Sequence, residues 1–253
     1  MGWLMDKKLS SLYKKFIDDF LYKKDNTLCK KYIVKKSIPI VHFGNIEKYK
    51  HSKRKIVTIG LNPSNNEFTE KRFEFIDFKK GNEKDNVSKL STTLNRYFDV
   101  NPYNKWFCNG EFVLNVLGAT YYDNPVYDMG LENYDTAVHI DIYSSIATDP
   151  TWGKLDGGVK NELQNIPLFK ELLKYLNPDI ILVSVNKGVF NQCFNEYSFI
   201  EARFQNKNLP SMLYIKKYIH SDGTMLLWGY NNRGKFFGLS HNFIKDNIPK
   251  MIL

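Results

Sequence analysis

Asn62 is the residue from which chemistry could start. It follows a short β-branched apolar run, Ile56-Val-Thr-Ile59, and stands in Gly60-Leu-Asn-Pro-Ser64. The run suits a buried strand. Gly60 permits a sharp turn after it, and the fixed φ of Pro63 holds a carboxamide beyond the strand end. In an open α/β sheet, ligands bind at the carboxyl ends of strands. A neutral carboxamide there orients a water molecule but is a poor base. An ordinary Asn-Pro turn is the competing reading, so the rest of the chain has to decide.

The elements that must position this loop are legible in part. Residues 6–24 place Leu9, Leu12, Tyr13, Phe16, Phe20 and Leu21 on one helical face, with lysines and acids on the other. Residues 38–43, 56–59, 137–142 and 179–185 read as strands. Residues 79–85 read as a loop, and 91–98, 105–117, 160–176 and 187–194 as helices. The last third changes character. Segments 212–219, 224–230 and 235–239 read as strands separated by Ser-Asp-Gly and Asn-Asn-Arg-Gly turns. Strand–helix alternation followed by strands predicts an α/β domain with a central mainly parallel sheet and a mixed end. No repeat or linker divides the 253 residues, so one domain is expected, with the N-terminal helix packed on it.

Composition narrows the classes. With 43% hydrophobic residues the chain can bury a full core, yet no apolar run reaches the length of a membrane span. Residues 1–30 lack the apolar core of a signal peptide, and Cys29, Cys108 and Cys193 are too scattered for a disulfide framework or a zinc site. A reducing cytoplasm is the expected compartment. The net charge of +9 suits a polyanionic partner, although lysine supplies most of it and arginine stands only at 54, 72, 96, 203 and 233. His139 falls inside a buried strand pattern and reads as a core histidine; His42, His51 and His220 have no metal-ligand spacing.

Gly60-Leu-Asn-Pro-Ser64 after a hydrophobic strand resembles the first motif of the uracil-DNA glycosylase superfamily, closest to its mismatch-specific and single-strand-selective branches. Three further segments carry the resemblance: Ala137–Ser145, Pro178–Val185 and Gly238-Leu-Ser-His-Asn-Phe243. It implies a three-layer α/β/α domain acting on DNA, single- or double-stranded, as a monomer and without metal or cofactor. Asn62 would position the water that attacks the sugar, and His241 would donate to the departing base. Asp141 takes the place of the family's base-reading Asn. Gly60, Leu61 and an aromatic, first Phe68 and then Phe73 or Phe75, would hold the base. Ser64, Lys187, Ser240 and Asn242 would meet the DNA backbone. The chain departs from the pattern at Ser64, where Gly is usual, and at Asn242-Phe243, where Pro-Ser is usual. Absence of four cysteine ligands separates it from the iron–sulfur branches.

An ionised aspartate at 141 can only accept hydrogen bonds, so it would repel O4 of uracil and welcome an amino group. A modified cytosine-like base, as in some phage DNA, becomes the expected substrate. Two other classes stay open. One is a non-catalytic nucleic-acid or nucleobase binder of the same fold. The other is a metal-dependent nuclease using Asp123, Asp128, Asp141, Asp149 or Asp156, separable by its magnesium requirement.

Overall fold

The computed structural model describes residues 6–69, 72–73, 76–78, 81–205, 213–229 and 236–253. In chain order the elements are α1 (Lys7–Asp25), α2 (Ile46–His51), β1 (Ile56–Gly60), α3 (Asn66–Thr69), α4 (Glu83–Asn95), α5 (Tyr97–Val100) and α6 (Asn104–Val116). Next come β2 (Ala119–Thr120), β3 (Asp135–Thr136), β4 (Val138–Asp141), α7 (Gly157–Leu163), α8 (Ile166–Leu176), β5 (Ile180–Val183) and α9 (Lys187–Cys193). The chain closes with β6 (Ser198–Phe204), β7 (Tyr214–Ile219), β8 (Met225–Trp228) and α10 (His241–Ile252). Among the described residues the main sheet has the order β4-β1-β5-β8-β7-β6. β1, β5 and β8 run parallel, with Ile56 opposite Ile180 and Ile180 opposite Met225, while β7 and β6 return antiparallel. The fold is α/β with a mainly parallel central sheet. No helix among the described residues is long and apolar enough to cross a membrane.

The chain divides into two compact units, each built from three segments. The first comprises Met1–Phe43, Leu61–Pro102 and Ile140–Leu176. Its α1 begins where the Asp6 carboxylate accepts from Leu9 N, and it buries Leu9, Leu12, Tyr13, Phe16, Ile17 and Phe20. Each such side chain contributes about 1.5–3 kcal/mol when fully buried. Lys23, on the face expected to be solvated, is instead buried and held by Asp19 at 2.8 Å and by the Leu163 carbonyl at 2.7 Å. Residues 38–43 form no strand. Pro39 has no N–H to give a ladder, and the segment is tied instead through Ile40 N to the Ser145 carbonyl at 2.8 Å. The helix expected at 91–98 starts earlier, at Glu83, and a separate turn of helix follows at Tyr97. Residues 160–176 split into α7 and α8, because Asn165 Oδ1 accepts from Leu168 N and Pro167 stands in the first turn of the second helix. Gly157 and Gly158 open α7.

The second unit comprises Gly44–Gly60, Tyr103–His139 and Asn177–Leu253. β1 and β5 are buried throughout, as β-branched parallel strands require. Asp179 fixes their start, its carboxylate accepting from Lys55 N at 2.7 Å. His139 is a satisfied core histidine: its Nδ1 lies 2.8 Å from Thr58 Oγ1, which also meets the Tyr121 hydroxyl at 2.5 Å. Glu111 is fully buried, with its carboxylate bonded to Asn115 at 2.8 Å, Thr120 at 2.5 Å and Tyr121 N at 3.1 Å. The expected strand at 235–239 is a 3-10 turn over Phe236–Gly238. Phe237 there adopts φ 59°, and a Cβ on Gly229 would come within 2.5 Å of its ring, so this packing needs glycine at 229. In this unit the sequence reading passed over the short elements α2, β2 and β3, the edge strand β6 and the terminal helix α10. The Asn-Asn-Arg-Gly turn and the Met212 and Tyr230 strand ends lie outside the described residues.

Candidate functional site

Most of the Asn62 group belongs to the first unit. Gly60 keeps strand backbone as the last residue of β1, so the turn falls after it, at Leu61 and Asn62. The Leu61 carbonyl accepts from Tyr143 N at 2.9 Å. This bond ties the Asn62 loop to the segment leaving β4, whose last residue is Asp141. Both loop and carboxylate are half-buried.

Asn62 turns its amide back on its own loop, Nδ2 donating to the Pro63 carbonyl at 3.0 Å. That bond fixes the carboxamide and uses one N–H; its Oδ1 accepts nothing among the described residues. Ser64 spends its hydroxyl locally, accepting from Asn66 N at 3.2 Å, while its carbonyl accepts from Glu67 N at 3.1 Å. It starts α3 as a small capping residue does.

α3 then presents Glu67, which the sequence reading passed over as part of a polar stretch. Its side chain is 2% exposed, and its carboxylate accepts a short hydrogen bond from the Tyr97 hydroxyl. Burial is the main cause pushing its pKa up, to about 7. The Tyr97 bond and the Arg72 guanidinium pull the other way, and the nearby charge of Asp141 adds to the rise. Arg72 is itself held by carbonyls, Nη1 donating to Asn101 O at 3.1 Å and Pro102 O at 3.0 Å, and Nε to Asn66 O at 3.2 Å. A carboxyl that changes charge near neutrality can take a proton from water or return one. The only signal in the sequence is its place five residues after Asn62.

Phe68 is half-buried, with its ring 5.4 Å from Phe73, and Phe73 stacks on Tyr97 at 5.1 Å and 26°. Phe43 closes on Tyr97 from another side at 4.8 Å. Phe73 is half-buried as well and sits between Phe68 and Tyr97. Phe68 lies at the margin of this cluster. Phe75 lies outside the described residues. A cavity of about 720 Å³ in the same unit is lined by Ile17, Leu21, Val87 and acids of α1 and α4, and includes none of these residues.

The remaining expected residues belong to the second unit. Ser240 caps α10, its hydroxyl accepting from Phe243 N at 3.3 Å, and its own N–H donates to Gln205 Oε1 at 2.8 Å. His241 is exposed and stacks flat on Phe112, with centroids 3.7 Å apart at 6°, and Tyr127 meets it edge-on at 5.6 Å. Asn242 and Lys187 are exposed. The segment Ser240–Phe243 is thus the first turn of a helix. Among the acids weighed as metal ligands, Asp123 pairs with Lys48 at 2.5 Å and Asp128 accepts from Gly130 N at 2.8 Å. The described residues contain no group of three His, Cys, Asp or Glu side chains placed to hold a metal ion. No protein-family model matches the chain, and no curated protein sequence matches it.

Proposed function

We propose that this protein is a DNA glycosylase-type hydrolase with the three-layer arrangement of the uracil-DNA glycosylase superfamily, removing an amino-bearing, cytosine-like base. One observation carries the reading. The Leu61–Tyr143 hydrogen bond gathers the Asn62 loop with the end of β4, and the α3 turn directly after that loop holds a buried carboxyl poised near pH 7 beside Asp141.

In this reading Asn62 Oδ1 accepts from a water. The water oxygen bonds to the anomeric carbon of an extruded nucleotide as the glycosidic C–N bond breaks. The bonding pair leaves with the base, and the water's proton passes to Glu67. Glu67 supplies the basicity that a carboxamide lacks. Asp141 accepts from the amino group of the base, and Phe68 offers a ring face. His241 is the proposed donor to the leaving base, a role that rests on the family pattern.

The binder reading keeps one specific support: the second motif departs from the family pattern at Asn242 and Phe243. An abasic-site assay separates the two. Oligonucleotides carrying uracil, mismatches or modified cytosines are incubated with the protein and treated with alkali. Strand breaks at a modified cytosine support the hydrolase. Retardation on a gel without any alkali-labile site assigns the protein to binding alone.

A further inference from the structure

The outer end of the main sheet carries an arrangement that the glycosylase reading does not use. Alternation along β7 puts Tyr214, Lys216 and Tyr218 on one face. The register brings Phe199 opposite Tyr218, Ala202 opposite Lys216 and Phe204 opposite Tyr214, with a bulge at Ile200 between the first two pairs. Two ring pairs result, Phe199–Tyr218 at 5.6 Å and Phe204–Tyr214 at 5.9 Å, separated by the small Ala202. Between them lies the Lys216 ammonium, 4.9 Å from the Tyr214 ring centroid, 5.5 Å from Trp228 and 6.0 Å from Phe199.

The inner margin of this face is locked. Trp228 is buried, stacks on Phe190 of α9 at 4.6 Å, and donates through Nε1 to the Val185 carbonyl at 2.9 Å. The outer margin opens at Phe199, which is 56% exposed; Tyr214 and Lys216 are half-buried, and Tyr218, also half-buried, rests on Phe190 at 4.8 Å. Glu201 sits in register with Lys217 on the opposite face, where it pairs with Arg203 at 3.3 Å. The aromatic face thus carries a cation and no carboxylate from either strand.

We infer that the β6–β7 face is a stacking platform for single-stranded nucleic acid, with bases on Phe199–Tyr218 and Tyr214–Phe204 and a phosphate on Lys216. Four residues of β7 separate the two tyrosines by about 14 Å, the span of a short run of nucleotides. The charge selects a polyanion over an apolar peptide, and the exposed Phe199 ring selects unpaired bases, because a duplex keeps its own bases stacked. A strand bound here needs no chemistry at Asn62, so the inference stands apart from the proposed hydrolase.

The test is fluorescence anisotropy of the full chain with a labelled oligothymidylate. An oligomer of equal length lacking all bases, and a duplex, serve as comparisons. Phe199→Ala, a change at an exposed ring, weakens oligothymidylate binding about tenfold. Lys216→Gln lowers the slope of log affinity against log salt by about 0.7. Weaker binding of the baseless strand and the duplex supports the platform. A baseless strand bound as tightly as oligothymidylate reduces the face to a charge patch and overturns it. So does unchanged binding by Phe199→Ala, or self-association in sedimentation that Phe199→Ala abolishes while DNA is not bound.

Discussion

Glu67→Gln tests the energetics and the chemistry of the candidate site separately. The native carboxyl titrates at about 7 instead of the ordinary 4.5, so the fold favours its protonated form. The sign follows from linkage: a carboxyl raised in the folded state gives stability that is complete below the unfolded value and is lost as pH climbs to the folded one. The window is therefore about pH 4.5 to 7. Its depth is the shift from 4.5 to about 7 at 1.36 kcal/mol per unit, about 3 kcal/mol. The opposing pulls of Tyr97 and Arg72 are already inside that net shift. Glutamine matches the shape of the neutral acid and cannot ionise. Urea unfolding at pH 5 and pH 8.5 should show the wild type losing about 2.5 kcal/mol more than Glu67→Gln between the two conditions, the first part of the loss falling below pH 5. The same variant should form abasic sites about 10²–10⁴-fold more slowly, and should lose the rise in rate through pH 7 that an ionising base produces. Equal loss of stability in both proteins refutes the claim that burial holds Glu67 neutral. A variant that keeps the rise through pH 7 removes Glu67 from the chemistry, whatever its stability.

Asn62→Ala should lower abasic-site formation by about 10²–10⁴-fold with an unchanged urea midpoint, since among the described residues the side chain bonds only to its own Pro63 carbonyl; a wild-type rate reduces the motif to a turn. Asp141→Asn should shift preference from modified cytosine toward uracil, because a carboxamide donates to O4 where a carboxylate repels it. Side-by-side rates on the two substrates check this, and efficient uracil removal by the wild type sinks it. His241→Phe preserves a flat ring on Phe112 while deleting both ring nitrogens, so thermal stability should hold and glycosylase rate should fall at least tenfold. An unchanged rate leaves His241 as a helix-start packing residue.

The parts of the fold that could be read in advance are those where one local signal suffices. The uniform apolar runs at 56–59 and 180–183 are buried strands, and the α1 stripe is a buried helix face. The errors fall where a local signal competes with packing. Ile38–Phe43 is apolar enough for a strand, yet Pro39 breaks its ladder and the segment binds elsewhere through Ile40 N. Lys235–Leu239 looks like a third hairpin strand, yet Phe237 turns into the left-handed region to pack on Gly229. β6, with exposed Phe199 and Ile200 beside Glu201 and Arg203, lacks the alternation of a half-buried strand because it lies at the sheet edge, where neither face is fully covered.

The candidate site shows a sharper limit, because the same two letters occur twice with opposite meanings. Glu67-Phe68 and Glu111-Phe112 are each a glutamate beside a phenylalanine in a helix, and both glutamates are buried with pKa values raised by that burial. Glu111 has its oxygens filled by Asn115, Thr120 and the backbone of Tyr121 and Val126, a closed set of donors that pins α6 to β2 and leaves no lone pair for anything else. Glu67 receives the Tyr97 hydroxyl and feels Arg72 and Asp141 only through their charge. A carboxylate bonded on every side is a structural fastener; one that is desolvated, singly bonded and beside a second acid stores the capacity to exchange a proton. No spacing or propensity distinguishes the two, since the difference lies in which donors the folded chain brings to each. Asn62 was visible because its chemistry depends on the loop that holds it, and that loop is contiguous. Glu67 was not, because what makes it reactive is the burial that the folded chain imposes on it, to which the charge of Asp141, far along the chain, adds.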